Sequence, residues 1–349
     1  MLDYDELFSL PLFGLDKYEK QRLYERWLAD LSSYHSEHCP EYARLSGVLG
    51  QSLALPVRLF KEFDLRSVDS DSVSKTMTSS GTTSQVKSKI NLDRATSSRQ
   101  SKALSRIVAE FTGSKTRVPM LIIDAPGTVK NRNMFSARTA GIRGFSMLGR
   151  DVTFALDDDM NLDWESLNGF AERHEGDKVL MFGFTFMIWK YFVQALEAEG
   201  KHLDFSGLMV HGGGWKKLVN EAVGHDEFNR RVSAACGVEH VSDYYGMVEQ
   251  TGSIAMECEC GHLHVSLLSD VEIVDPFTLE VLGIGERGLI KSISLLPTSY
   301  PGHILLTEDE GMVLGEDDCP CGRKGKYFKV FGRLPGAEVR GCSDTYERR

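Results

Sequence analysis

Val118-Pro119-Met120-Leu121-Ile122-Ile123, followed by Asp124-Ala125-Pro126-Gly127, is the stretch on which the fold class turns. A short, nearly unbroken apolar run reads as a strand buried on both faces, and the residues after it read as a turn. Such a strand belongs in a parallel sheet covered by helices. Its surroundings agree. Upstream, Leu104, Ile107, Val108 and Phe111 recur at helical spacing. Downstream, candidate strands at 151–156, 178–184, 208–211 and 238–245 alternate with helical patterns at 161–174, 185–199, 215–223 and 227–236. Strands and helices alternating in this way predict an α/β fold with a mostly parallel sheet and right-handed crossovers. Ligands of such sheets bind beyond the carboxyl ends of the strands. Here those ends carry Asp124-Ala125-Pro126-Gly127, Gly183-Phe184-Thr185, His211-Gly212-Gly213-Gly214 and Tyr245-Gly246-Met247-Val248-Glu249.

After residue 254 the helical pattern stops. Segments at 262–267, 271–274, 289–295, 303–306 and 327–331, separated by turn residues, predict a β-rich subdomain. The expected organisation is an α/β part over 1–254, the β-rich subdomain over 255–331 and a tail over 332–349. Near the start, Leu23, Trp27, Leu28 and Leu31 mark a bracing helix over 17–34 with no residue that suggests chemistry.

Composition narrows the function classes. The 349-residue chain has a formal net charge of −10, against the basic face that a nucleic-acid binder needs. The acidic opening lacks the order of a signal peptide. The most apolar stretch, 179–193, is too short to span a bilayer and contains Lys190. A cytoplasmic protein with no membrane span and no nucleic-acid partner is expected.

Apart from the cysteines, four candidates for chemistry remain. In Thr78-Ser79-Ser80-Gly81-Thr82-Thr83-Ser84-Gln85-Val86-Lys87, six of the first seven residues carry hydroxyls. Such a density of hydroxyls and bare N–H groups around a glycine suits phosphate oxygens, and Lys87 adds a point charge. A solvated Ser/Thr linker is the plainer reading, although a strand-like segment follows at once. The turn at Gly212, Gly213 and Gly214 can bring backbone close to a base or a phosphate, or simply supply positive φ. Tyr245 can stack on a planar ring, and Glu249 can hold Mg²⁺ beside phosphates, or both can be ordinary loop residues. Asp309, in an acidic cluster read as a turn, can accept from ribose hydroxyls or stay solvated.

The seven cysteines are an odd number in a chain too large to need disulfide staples, and paired cysteines then read as metal ligands before disulfides. Cys258/Cys260 and Cys319/Cys321 form two Cys-x-Cys knuckles whose four thiolates would close a structural Zn²⁺ site, with His262 and His264 as substitute ligands. Free buried thiols are the alternative. Cys342, near Arg340 in a polar terminal segment, is either a reactive nucleophile or an incidental tail cysteine.

Taken together, these motifs resemble the acyl-adenylate-forming superfamily. The loop at 78–87 is similar to its phosphate-binding loop. Tyr245-Gly246-Met247-Val248-Glu249 is similar to its aromatic-glycine-x-x-glutamate motif, which stacks on adenine and supplies a Mg²⁺ ligand. Glycines 212 to 214 resemble its adenine-side turn, Asp309 its ribose-binding aspartate, and Gly332-Arg333 the opening of its interdomain hinge. Within the superfamily the closest resemblance is to the acyl-protein synthetases of bacterial bioluminescence. It rests on Thr-Ser-Ser-Gly-Thr-Thr-Ser, on His211-Gly212-Gly213-Gly214-Trp215-Lys216-Lys217 and on Arg340-Gly341-Cys342-Ser343-Asp344. It implies ATP-dependent activation of a fatty acid, transfer of the acyl group to Cys342 as a thioester, and delivery to a partner acyl reductase. The hinge aspartate is replaced by Pro335, and only a short remnant of the superfamily's C-terminal domain is expected. Charge compensation then falls to Lys87, Arg323 or Arg333. An acyl-CoA or aryl-CoA ligase, or a non-catalytic zinc-containing nucleotide-binding subunit, are the rival readings.

Overall fold

A computed structural model describes residues 3–50, 54–79, 87–130 and 137–334. The chain divides into two compact units. One takes in the chain up to Ile107 and resumes at Tyr245; the other is Val108–Tyr244. The first unit therefore joins the N-terminal helices to the β-rich part, a grouping that differs from the expected boundary at 254.

In the first unit, β1 (Leu55–Pro56) is short, while β2 (Lys75–Thr78) and β3 (Lys89–Leu92) form an antiparallel hairpin with Thr78 opposite Lys89. The N-terminal helix Lys17–His38 opens on a capping box between Asp16 and Glu19. Its buried stripe is Lys20, Tyr24, Trp27, Leu31 and His35, spaced three or four apart. Polar members of that stripe reach the sheet. Tyr24 donates to the Leu267 carbonyl at 3.0 Å and Lys20 to that of Ser269 at 2.9 Å.

The second unit is the predicted parallel sheet. Its strands are β4 (Val118–Ile123), β5 (Gly149–Phe154), β6 (Lys178–Phe184), β7 (Ser206–Gly212) and β8 (His240–Tyr245). They pair in the order β5-β4-β6-β7-β8, all parallel. Every residue of β6 after Lys178 is buried, as an apolar run covered on both faces requires. Phe145 stacks on Phe182 at 4.0 Å in that core. The helix expected over 185–199 is continuous in direction but widens to a π-helix at Ile188–Val193. The helix expected over 215–223 is a kinked 3₁₀ segment, Lys216–Glu221.

The β-rich part of the first unit is antiparallel: β9 (Ala255–Glu257), β10 (Leu263–His264), β11 (Ser269–Val274), β12 (Arg287–Ser294), β13 (Ile304–Glu316) and β14 (Lys326–Arg333). β13 corrects the expectation of a strand ending at 306 followed by an acidic turn. It continues through Thr307-Glu308-Asp309-Glu310, where its register with β12 shifts between Leu306 and Glu310, burying Thr307 and Asp309 and leaving Glu308 and Glu310 half-buried. Charge suggested a turn, but the strand carries on through an irregular stretch. There the Thr307 hydroxyl accepts from the Asp309 N–H at 3.1 Å, the Glu308 carbonyl accepts from the Leu334 N–H at 3.0 Å, and the two-residue alternation separates the acidic side chains. One core gathers Tyr42, Phe60, Leu65, Tyr300 and Leu305; another gathers Tyr245, Val271, Ile273, Ile290 and Phe328. Among the described residues no helix is long and apolar enough to cross a membrane.

Candidate functional site

The β13/β14 ladder creates the first polar constellation. Asp309 lies opposite Arg333 in register, with Gly332 opposite Glu310 at φ +110° and an irregularity in the ladder just beyond. A positive φ inside a strand is glycine's province, and here it stands beside the shift in register between Gly332 and Val330. The Tyr245 hydroxyl donates to Asp309 Oδ2 at 2.8 Å, and Arg333 Nε lies 3.5 Å from Asp309 Oδ1. Asp309 is only 4% exposed. Burial, and then the neighbouring Asp309 charge, push the Tyr245 hydroxyl well above the ordinary tyrosine range, so it stays a donor. The Tyr245 ring packs edge-on to Phe328 at 5.9 Å. Three residues that sequence placed 24 to 88 positions apart, Tyr245, Asp309 and Arg333, thus form one linked group (309 to 333 and 245 to 333).

Glu249 sits on the 3₁₀ turn Val248–Gln250 and has no exposed surface. Its turn is held from several sides. Tyr300 donates to the Glu249 carbonyl at 2.8 Å, and Gln250 Nε2 donates to Gly302 O at 2.8 Å and Ser292 O at 3.1 Å. Gly252, at φ +86°, lies so close to Gln100 that a Cβ would fall 2.5 Å from its carbonyl oxygen. The pins Gln250, Tyr300 and Gln100 carry no motif, which is why sequence reading missed them.

The hairpin β2/β3 is the stem of the hydroxyl-rich loop. Ser79 is buried and its hydroxyl accepts from the Ser88 N–H at 2.9 Å. Ser80, Gly81, Thr82 and Thr83 lie outside the described residues; Lys87 is half-buried at the returning strand. The stem and the Glu249 turn are neighbours. Met77 packs on the same core as Met247 and Val248, and Thr251 Oγ1 lies 3.8 Å from Met77 Sδ.

In the second unit, His211 is buried one residue before the end of β7, with Thr185 Oγ1 3.0 Å from its Nδ1. Burial, with a smaller push from His225, lowers its pKa to about 3, so it is neutral. Gly212 is required: a Cβ there would meet the Tyr244 ring at 2.5 Å. Gly213 takes φ +74° and turns the chain toward Gly214.

The cysteine knuckles form a cluster of a different composition from the expected one. Cys258, His264, Cys319 and Cys321 bring one donor atom each within 4.8 Å of one another. Cys260, expected as the fourth ligand, is exposed. The turn over 258–261 folds back so that the Cys260 N–H, not its thiol, faces Cys258 Sγ at 3.4 Å. His264, fully buried on β10, takes the fourth position. Arg323, a candidate for charge compensation, pairs with Glu259 at 2.7 Å and also hydrogen-bonds Cys321. Cys342 lies outside the described residues.

The family model described as "Acyl-protein synthetase, LuxE" matches residues 4–349. The chain belongs to the LuxE family. This LuxE-family chain is 22% identical over 343 residues to the long-chain-fatty-acid–luciferin-component ligase of Vibrio harveyi, covering 93% of this chain and 87% of that protein. It is 24% identical over 301 residues to the Aliivibrio fischeri ligase of the same name, covering 82% of this chain and 76% of that one. Among solved structures, a 2-hydroxyisobutyryl-CoA ligase in an open conformation superposes with a TM-score of 0.66 at 16% identity, over 92% of this chain and 76% of that chain. A luciferase-like enzyme from the mealworm Zophobas morio gives 0.51 at 17% identity, over 78% and 60%. The LuxE-family chain is therefore a ligase with the fold of the adenylate-forming enzymes, as its motifs led one to expect.

Proposed function

We propose that the protein activates a long-chain fatty acid with ATP and then carries the acyl group on Cys342, in the cytoplasm, for delivery to a partner acyl reductase. The observation that carries this reading is family membership across residues 4–349, the span that includes Cys342. The names of the Vibrio harveyi and Aliivibrio fischeri ligases support a fatty acyl substrate, and the family's description as acyl-protein synthetases supports a protein acceptor.

In the first step a carboxylate oxygen attacks the α-phosphorus of ATP; the new P–O bond replaces the bond to the bridging oxygen, and pyrophosphate leaves. Thr78, Ser79, Ser80, Gly81, Thr82, Thr83 and Lys87 hold the phosphates. Asp309, oriented by Tyr245 and Arg333, accepts from the ribose hydroxyls, and Tyr245 with Gly246 borders adenine. The turn at Gly212, Gly213 and Gly214 is assigned to the adenine side on the resemblance alone. Glu249 is a hard-oxygen donor suited to Mg²⁺, which when bound neutralises phosphate charge. In the second step the Cys342 thiolate attacks the acyl carbonyl, a C–S bond forms, the C–O bond to phosphate breaks, and AMP leaves. A structural Zn²⁺ in the β-rich part belongs to the same reading.

The test is incubation with labelled fatty acid and ATP. Wild type takes up hydroxylamine-labile label; Cys342→Ser keeps ATP–pyrophosphate exchange and takes up none. Equal labile labelling of both proteins overturns the role given to Cys342.

A further inference from the structure

The two knuckles are built alike. In each, a glycine follows Cys-x-Cys at positive φ (Gly261 at +74°, Gly322 at +82°). In each, that glycine's N–H donates to the carbonyl of the first cysteine, Gly261 to Cys258 at 2.9 Å and Gly322 to Cys319 at 3.0 Å. One turn joins β9 to β10 and the other lies between β13 and β14. They face each other. Cys258 Sγ is 3.9 Å from Cys319 Sγ, and Cys321 Sγ is 3.4 Å from His264 Nε2. A tetrahedral site with Zn–S near 2.3 Å and Zn–N near 2.0 Å has edges of roughly 3.5–3.8 Å. These two spacings lie close to such edges, and all four donor atoms are within 4.8 Å of one another with no disulfide among them.

The surroundings match as well. His264 is fully buried, and its Nδ1 has no hydrogen-bond partner among the described residues, so Nε2 is its working atom. His262 Nδ1 stands 3.3 Å from Cys319 Sγ and the Cys260 N–H 3.4 Å from Cys258 Sγ, the outer contacts that hold thiolates in place. The Tyr327 ring backs both histidines, 4.6 Å from His262 and 5.5 Å from His264.

We infer that Cys258, His264, Cys319 and Cys321 bind one structural Zn²⁺, with His262 outside the coordination shell and Cys260 left as a free thiol. With all four positions filled by protein the site is closed, and its work is structural. The ion locks the β9/β10 turn to the connection entering β14. That strand carries Arg333 to its place opposite Asp309. The inference rests on the zinc part of the reading above and is independent of its acyl chemistry.

The experiment is metal analysis of the full chain, purified from zinc-supplemented cells and dialysed, with X-ray absorption at the zinc edge. About one zinc per chain in a three-sulfur, one-nitrogen shell is expected. Cys260→Ser should keep full zinc, and iodoacetamide should modify Cys260 in the metal-loaded protein while sparing Cys258, Cys319 and Cys321. His264→Ala should lose zinc, whereas His264→Cys should keep it and change the shell to four sulfurs, which separates loss of a ligand from failure to fold. A four-sulfur shell in wild type, zinc lost with Cys260→Ser, or zinc kept in His264→Ala overturns the ligand set. A wild-type chain that folds without zinc or that holds iron instead overturns the zinc site itself. Pyrophosphate exchange is measured separately, so that failure of the zinc site and failure of the acyl chemistry are told apart.

Discussion

Asp309 accepts the Tyr245 hydroxyl at 2.8 Å, across 64 residues of chain. A buried carboxylate needs donors, and this one is supplied from the segment that precedes the Glu249 turn. Tyr245→Phe removes the donor and leaves the acceptor buried, so it should cost about 1–3 kcal/mol in urea unfolding without ligand. Adding Asp309→Ala to Tyr245→Phe should cost less than the sum of the single changes, because each removes the same bond. Strict additivity would mean that the two side chains act independently.

Gly252 sets the shape of the chain after Glu249. Gly252→Ala combines a positive φ with a backbone clash against Gln100, and should lose more than 1 kcal/mol together with much of the pyrophosphate exchange. Gly176, at φ +80° with nothing within 4 Å of an added Cβ, is the control. Gly176→Ala should show only the conformational strain, about 1 kcal/mol, and unchanged exchange.

Lys87 is expected to contact ATP phosphates. Lys87→Met should raise the KM for ATP by about ten- to a hundredfold, the scale of one charged hydrogen bond at ~1.5–3 kcal/mol. Thermal unfolding without nucleotide should barely move. A KM unchanged in pyrophosphate exchange would remove Lys87 from the phosphate site.

Lys20 and Lys326 both bond Asp270, at 3.3 and 2.9 Å, in a largely buried cluster. Asp270→Asn leaves two cations without their counter-charge and should cost ~3–5 kcal/mol. Lys20→Met keeps the Lys326–Asp270 pair and an apolar stem of similar length, and should cost clearly less. Denaturant midpoints of the two variants give the ranking.

His35 and His303 stack at 4.8 Å in full burial, with Ser32 and Tyr42 on His303 Nε2 and Ser67 on His35 Nδ1. Burial lowers both, His303 to about 3 and His35 well below its usual value, with the partner ring adding to the effect on His35. Below the unfolded pKa near 6.5 the unfolded chain binds protons that the folded chain refuses, so stability falls as pH drops. Each histidine should contribute a slope of up to about 1.4 kcal/mol per pH unit between the unfolded and folded pKa values. Urea midpoints from pH 8 to pH 5 should show the decline starting near 6.5, shallower in His303→Gln.

Much was legible in the chain itself. The apolar runs at Val118–Ile123 and Lys178–Phe184 read as covered strands because they are short and bounded by turn residues, and the structure buries five consecutive side chains of the first and six of the second. The helical stripe from Lys20 to His35 was readable in outline, though its polar members were not, since a buried lysine or histidine looks the same in sequence as an exposed one. The acidic run at 307–310 misled for the same reason: charge reports a preference for water, and only the β12 and β14 partners show which of those side chains is denied it.

By itself, the amino-acid sequence determined the class of fold and the kind of chemistry, because periodicity and short motifs are local properties of the chain. Tertiary structure alone decided that Asp309 is a buried acceptor for Tyr245 beside Arg333, and that His264 stands where Cys260 was expected. Those outcomes depend on strand register and on which way a tight turn aims a side chain. A shift of one residue in either would send the same side chains to the opposite face.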